Sequence, residues 1–489
     1  MLRRSIVTSA LVLAGLLVAA PQPRAQSPAQ MPTPGASGQP SANSSAIVQI
    51  ATEATSWLQD LIRINTSNPP GNELAAAKYL AGVLNKEGIP NEIFESAPGR
   101  GILVARLSAN PQPDPSRALL LMGHLDVVGV DRAKWTVDPF AGIIQGNYLY
   151  GRGAIDDKGM AIADLAVMVE LKRTAARLNR DVIFLAEGDE EDGGAQGIRF
   201  AIQKHWDKIA SGFALNEGGE VEMKDGKVLY VGVQASEKVS ASVDVIATGT
   251  SGHASIPLKD NPVAHVAAAV AKIAAYQAPV QFNSVTRAYF AALAPIEDED
   301  TGKWMRVLDT SDRGDHAARV IADENPQWNA MMRDTISPTM LSAGVRNNVI
   351  PPDAKAVLNI RLLPGDSLDP LLAKLKALVD DPEIRFELEP NASESTPSSS
   401  LTSDLYNSIT RVTGREFPGV PVAPYLSTWA TDSSFLRMRN VQAYGLVPFP
   451  LTDDDLKRMH ANDERIPLDS FRKGVEYLYN VVTDFAAQK

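Results

Sequence analysis

The sequence predicts an α/β fold in which a larger α/β domain is interrupted by a smaller inserted domain. Short continuous apolar runs alternate with helical periodicities from residue 47 onward, the pattern of a buried parallel sheet covered by helices. Polar phrases follow those runs, at the strand ends where open α/β sheets place their sites. From residue 240 the order becomes strand, helix, strand, strand, helix, strand, the ferredoxin-like (βαββαβ) plan. At 489 residues the chain is too long for one ordinary core, so two domains are expected.

In chain order, Met1-Leu2-Arg3-Arg4 and the apolar residues 6–20 read as a signal peptide ending at Ala25. That run falls short of the roughly 20 residues a bilayer span needs, so the mature chain should hold no span and be secreted or periplasmic. Residues 26–45, rich in Pro, Ser, Gln and Gly, read as a disordered linker. Helices are predicted over 51–64 and 73–87, then strands over 101–107 and 118–122, the second delivering His124. A helix over 160–178 precedes a strand over 181–186 that ends at an acidic cluster. These belong to the first part of the larger domain, residues 46–237.

The inserted domain spans 238–395. Its strand 240–247 alternates like a half-exposed strand, and it continues with a helix (261–276), strands (335–343 and 354–362), a helix (369–379) and a strand (384–388). Residues 281–334, with Trp304 and Trp328, read as an irregular excursion within it. A polar linker over 391–400 leads into helices over 405–412 and 468–485, in the returning part of the larger domain, residues 396–489.

Composition removes several functions. A net charge of −11 and a pI near 5.2 offer no basic face for nucleic acid. Cysteine is absent, which excludes disulfides, thiolate-bound zinc and a thiol nucleophile. His, Asp and Glu remain as the strong metal ligands.

Those residues gather in separated phrases: Met122-Gly123-His124-Leu125-Asp126, Gly151-Arg152-Gly153-Ala154-Ile155-Asp156-Asp157-Lys158-Gly159, Asp189-Glu190-Glu191-Asp192-Gly193-Gly194, Leu215-Asn216-Glu217-Gly218-Gly219 and Met459-His460-Ala461-Asn462-Asp463-Glu464. Together they supply two imidazoles, a bridging Asp, a spare Glu and further carboxylates, the needs of two divalent metals plus a general base. Asp126, two residues beyond His124 on an extended segment, points to the same side and can fix the imidazole tautomer. Taken singly, the acidic run is a solvated turn and His124 a packed core histidine. A glycosidase built on paired carboxylates leaves both histidine phrases unexplained, and a binding protein that has lost catalysis would lack a ligand or the base.

In this order the phrases resemble those of the M20 family of zinc aminopeptidases, carboxypeptidases and aminoacylases, and most closely its carboxypeptidase S branch. The resemblance implies a di-zinc exopeptidase-like α/β catalytic domain with an inserted lid or dimerisation domain. It implies that His124, Asp156 and Glu217 hold one zinc and that Asp156, Glu191 and His460 hold the other, with cobalt or manganese able to substitute. A hydroxide held between the ions would attack an amide, with Glu190 as general base. Family members often carry a cis peptide after the bridging Asp. His253, in Gly249-Thr250-Ser251-Gly252-His253-Ala254-Ser255, matches the histidine that supports the substrate oxyanion, often across a homodimer. Asn348, Arg361 and Gly445 match substrate-binding positions. The implied substrate is a small peptide or N-acyl amino acid with a free carboxylate. His205, His265 and His316 fall outside every phrase and are expected to be structural or exposed.

Overall fold

A computed structural model describes residues 42–109, 114–310, 312–390 and 395–488. The signal peptide expected over 1–25, nearly all of the linker expected over 26–45, and residues 391–394 of the second linker lie outside the described residues. The first helix runs Ala42–Ile62, so it takes in the end of the expected linker and begins well before residue 51. Ile47, Ile50, Ala54, Leu58 and Leu61 are buried at three- and four-residue spacing. The Asn and Ser residues ahead of them suit a helix start.

The large sheet runs in the order Asn91–Ala97, Arg100–Leu107, Val182–Glu187, Leu119–His124, Phe213–Asn216, Gln442–Gly445, Lys227–Glu237, Glu220–Lys224 and Pro450–Leu451, and Val422–Ser427 also pairs with Lys227–Glu237. Its centre is parallel: Leu119–His124 lies between Val182–Glu187 and Phe213–Asn216, and Gln442–Gly445 joins Phe213–Asn216. Alternation along the buried strands feeds two cores. Leu119, Leu121 and Phe184 pack under the helices Ala42–Ile62, Lys158–Arg173 and Leu468–Ala486. Leu120, Met122 and Ile183 face Ile198, Ala201 and Leu436 on the other side. The strand entering at Gln442 follows the insertion, so the large sheet closes only after the chain returns.

The second sheet has the order Thr335–Ala343, Asp353–Leu362, Val239–Thr248, Ile384–Leu388, all antiparallel. Taken with the helices Pro262–Ala274 and Leu368–Val379, this is the βαββαβ arrangement. The helices bury one face around Val243, Val245, Ile273, Leu358, Ile360 and Leu375. Thr335–Ala343 forms an open edge and is mostly exposed, with Met340, Leu341 and the following Val345 bare of cover.

The excursion over 281–334 is neither irregular nor part of that smaller core. It forms the helices Ser284–Leu293, Glu299–Met305, Gly314–Glu324 and Pro326–Met331. Val285, Tyr289, Phe290, Leu293 and Ile321 join the core beneath the large sheet, with Ser284–Leu293 lying on Val422–Ser427. Helices this short show little periodicity, and three of them rely on capping by Asn283, Asp298 and Asn325. Among the described residues no helix is long and apolar enough to cross a membrane.

Candidate metal centre

His124 ends a strand and Asp156 sits in the turn that starts the helix Lys158–Arg173. His124 Nε2 lies 3.0 Å from Asp156 Oδ1, and His460 Nε2 lies 2.9 Å from Asp156 Oδ2. Each oxygen of one carboxylate therefore meets a different imidazole. His460 Nε2 is also 3.1 Å from Glu191 Oε1. Glu217, at the end of Phe213–Asn216, groups with His124 and Glu190, their ligand atoms all within 4.8 Å of one another; His124, Asp156 and Glu191 make a second such group. The Asp156–Asp157 peptide is cis.

Charge explains why these groups suit cations. Asp156, Asp157, Glu190, Glu191 and Glu217 converge on two imidazoles, and among the described residues none is in ion-pair range of a Lys or Arg. Burial, with the negative charge of Glu190 and Asp156, pushes the Glu217 carboxyl well above the carboxylate range. Burial also pushes Glu190 up, reinforced by Asp432 and Glu191. Hydrogen bonds to Asp156 and Glu191 raise His460 to about 10. Although burial opposes it, the two imidazoles hold Asp156 below the usual range. Hard divalent ions neutralise such an oxygen-rich, imidazole-bearing set, so the residues present fit a metal pair.

The supports are as specific as the ligands. His124 Nδ1 is 3.0 Å from the Asp126 backbone carbonyl and 3.4 Å from its carboxylate. The carbonyl is the nearer of the two, and the Asp126 side chain expected to fix the tautomer also faces the ring. The Asp126 carboxylate further accepts the backbone N–H groups of Glu190 and Glu191 at 3.2 and 3.3 Å, and the Asn68 amide at 2.9 Å. It pins the acidic turn to the histidine strand. Asp189, at φ +71°, opens that turn and is held by the Arg100 guanidinium at 2.7 Å and the Gln196 N–H at 2.8 Å.

Glu464 was missed as a functional residue. Fully buried, it accepts Ile155 N–H and Asp156 N–H on one oxygen, and Gly153 N–H and Arg152 Nη1 on the other, at 2.7–3.1 Å. It clamps the loop that carries Asp156. Its place in the His460 phrase was the available signal. His460 and Asp463 both have positive φ; Asp463 accepts Thr136 N–H at 2.8 Å and the Ala461 carbonyl accepts Arg152 Nη2 at 2.9 Å, so the turn is tied down on both sides.

The remaining sequence candidates scatter. His253 is exposed on a two-stranded ribbon with Val349–Ile350, where Ala254 N–H donates to Asn348 carbonyl at 3.0 Å. The ribbon brings His253 and Asn348 together. His253 Nδ1 lies 2.7 Å from Ser255 Oγ, and neither residue has a hydrogen bond to the ligand cluster among the described residues. Arg361 sits on the sheet face away from the helices, bonded to Asn359 at 3.1 Å and paired with no carboxylate among the described residues. Gly445 packs against the site from behind: a Cβ there would meet the Glu217 carbonyl at 2.2 Å. His205 stacks on Phe94, His265 pairs with Asp381, and His316 meets the Trp304 ring, so all three are engaged elsewhere.

The model for peptidase family M20/M25/M40 matches residues 120–484, a stretch running from the histidine strand to the last helix. The chain belongs to this family. It is an M20-type metallopeptidase. Probable carboxypeptidase S-like 2 of Dictyostelium discoideum is 29% identical over 387 residues, 75% of this chain and 71% of that protein. N-fatty-acyl-amino acid synthase/hydrolase PM20D1 of Homo sapiens is 30% identical over 379 residues, 76% and 74% respectively. The M20 fold recurs in the metallo-carboxypeptidase Sso-CP2 from Sulfolobus solfataricus, with a TM-score of 0.68, 20% identity, and coverage of 88% of this chain and 99% of that one. It recurs also in the dinuclear metal-binding peptidase YXEP of Bacillus subtilis, with a TM-score of 0.58, 12% identity, and coverage of 88% and 97%.

Proposed function

We propose that this M20 protein is a two-metal hydrolase that cleaves the amide bond of small peptides or N-acyl amino acids bearing a free carboxylate. The observation that carries the reading is Asp156, whose two oxygens each face a different histidine. His124, Asp156 and Glu217 would hold one zinc ion; Asp156, Glu191 and His460 would hold the other. A bound metal pair lowers the pKa of water to roughly 7 and polarises the carbonyl under attack. Glu190, which makes no ion pair among the described residues, takes a proton from the attacking water and returns it to the leaving nitrogen. The products are a carboxylic acid and an amine.

Arg361 grips the substrate carboxylate, a role supported by its half-buried side chain, which pairs with no carboxylate among the described residues. His253 supports the oxyanion and Asn348 the substrate, supplied from the inserted domain of a partner subunit; the open edge strand Thr335–Ala343 supports such a homodimer. On this reading residues 46–237 and 396–489 form the catalytic domain and 238–395 the lid, and the apolar leader directs the chain to the periplasm or the outside.

The test is a panel of dipeptides and N-acyl amino acids offered to metal-stripped protein with zinc, cobalt or manganese added back. Hydrolysis restored by metal, at about two ions per chain, is expected. Failure to bind metal, or no cleavage of any member with any ion, overturns the proposal.

A further inference from the structure

The loop after strand Val422–Ser427 runs along the rim of the metal centre and plays no part in the chemistry above. Ser433 Oγ accepts the side-chain N–H of Asn216 at 3.2 Å, next to the ligand Glu217. On the other flank, a Cβ on Gly194 of the acidic turn would meet Asp432 at 3.0 Å and the Phe435 ring at 3.6 Å. The loop therefore touches both the turn that carries Glu190 and Glu191 and the strand end that carries Glu217.

Three residues before Asp432 stands Trp429, 43% exposed. A lone exposed indole is ordinary on a protein surface; its place and its bracing set this one apart. Ser427 Oγ donates to the Trp429 carbonyl at 2.8 Å and accepts its N–H at 3.2 Å. Thr431 donates through both N–H and Oγ1 to Glu237 at 2.9 Å, and Glu237 pairs with the fully buried Arg437 at 3.2 Å. Tyr425 backs the indole at 6.1 Å between ring centroids. The backbone that carries this indole is braced on both sides, and the loop it belongs to borders the polar groups of the metal centre.

We propose that Trp429 is the specificity-determining wall of this centre, packing against an apolar group that flanks the scissile amide of the substrate. The inference rests on the amide-hydrolase reading. An aromatic surface offers a large contact area at little entropic cost; a methylene enclosed in an apolar pocket changes kcat/KM by about 10-fold or more, a scale that several methylenes laid on one ring should reach together. The apolar group can belong to the acyl half or to the leaving amino acid, and two substrate series separate these. In one, N-acyl chain length increases on a fixed amino acid; in the other, the acyl group stays acetyl while the amino acid side chain changes from Ala to Leu to Phe.

In one series the wild type should prefer the apolar members, and Trp429→Ala should compress that kcat/KM ratio by at least about 10-fold, while Trp429→Phe keeps most of it and metal content stays at the wild-type level. The series that compresses names the half of the substrate that lies on the ring. Should Trp429→Ala fail to fold, Trp429→Leu gives the same readout. Equal loss for every substrate, or a wild type with no apolar preference in either series, overturns the proposal. A wild type that cleaves nothing in either series overturns the amide-hydrolase reading itself, which is a separate failure.

Discussion

Asp156 sets one oxygen against each imidazole, and among the described residues no other side chain hydrogen-bonds both. Asp156→Asn replaces one oxygen with an amide nitrogen, and metal binding should fall further than in His124, Glu191, Glu217 or His460 variants. Metal content after dialysis checks this, and two ions retained at full affinity would remove Asp156 as a bridge. Glu190→Gln should keep metal content near wild type while turnover falls by at least about 100-fold, the usual contribution of a general base. Loss of metal in that variant would mean that Glu190 and Glu191 exchange roles. Amidating the substrate carboxylate should weaken catalysis by about 1.5–3 kcal/mol, and Arg361→Ala should narrow that gap. A variant that keeps the full preference would leave Arg361 without a substrate role. The convergence of His124, Asp156, Glu190, Glu191, Glu217 and His460 was legible in the sequence because ligand chemistry uses few residue types in short phrases. Glu464 was not, although it stands in the His460 phrase: three of its four bonds go to backbone N–H groups, which any residue supplies, and its one side-chain partner, Arg152, lies 312 residues away.

Among elements, the buried ones were the most readable. The strand Leu119–His124 and the helix Leu468–Ala486 carry long apolar signals that outweigh local propensity. The hidden ones were Gln442–Gly445 and Val422–Ser427, short strands whose pairing partners lie hundreds of residues away in the chain, and the capped helices between 284 and 331. The loop from Arg152 to Asp156 has no regular structure to hold it, so it takes its shape from Glu464. Both Glu464 and Arg152 are buried, with 0% and 2% side-chain exposure. Glu464→Ala should therefore destabilise the protein by about 3–5 kcal/mol, because an unpaired guanidinium is left in the interior. Urea unfolding measures it, and a change under about 1 kcal/mol would show that water takes over the role of the clamp.

At the scale of the whole molecule, the smaller sheet ends in a strand with one side open, and Met340, Leu341 and Val345 are 66%, 63% and 96% exposed. An apolar open edge is a pairing surface. Leu341→Lys should convert a dimer to a monomer in light scattering, with a loss of turnover if His253 acts across the interface. A wild type that is already monomeric and active would place His253 outside catalysis. The strands of the four-stranded antiparallel sheet were readable from the change in period near residue 240, whereas the packing of residues 284–332 on the larger core was not, since which core an amphipathic helix joins is decided by tertiary contact.

The grip of Glu464 on Arg152 joins residues 312 apart. Contacts so distant along the chain must overcome a large loop-closure entropy and form late. During synthesis the protein has made His124, Asp156, Glu191 and Glu217 long before it has made the turn that fixes Asp156 and supplies His460. On the two-metal reading the centre is latent until the last few dozen residues arrive, and a chain ended before them should carry most of the proposed ligands and none of the activity.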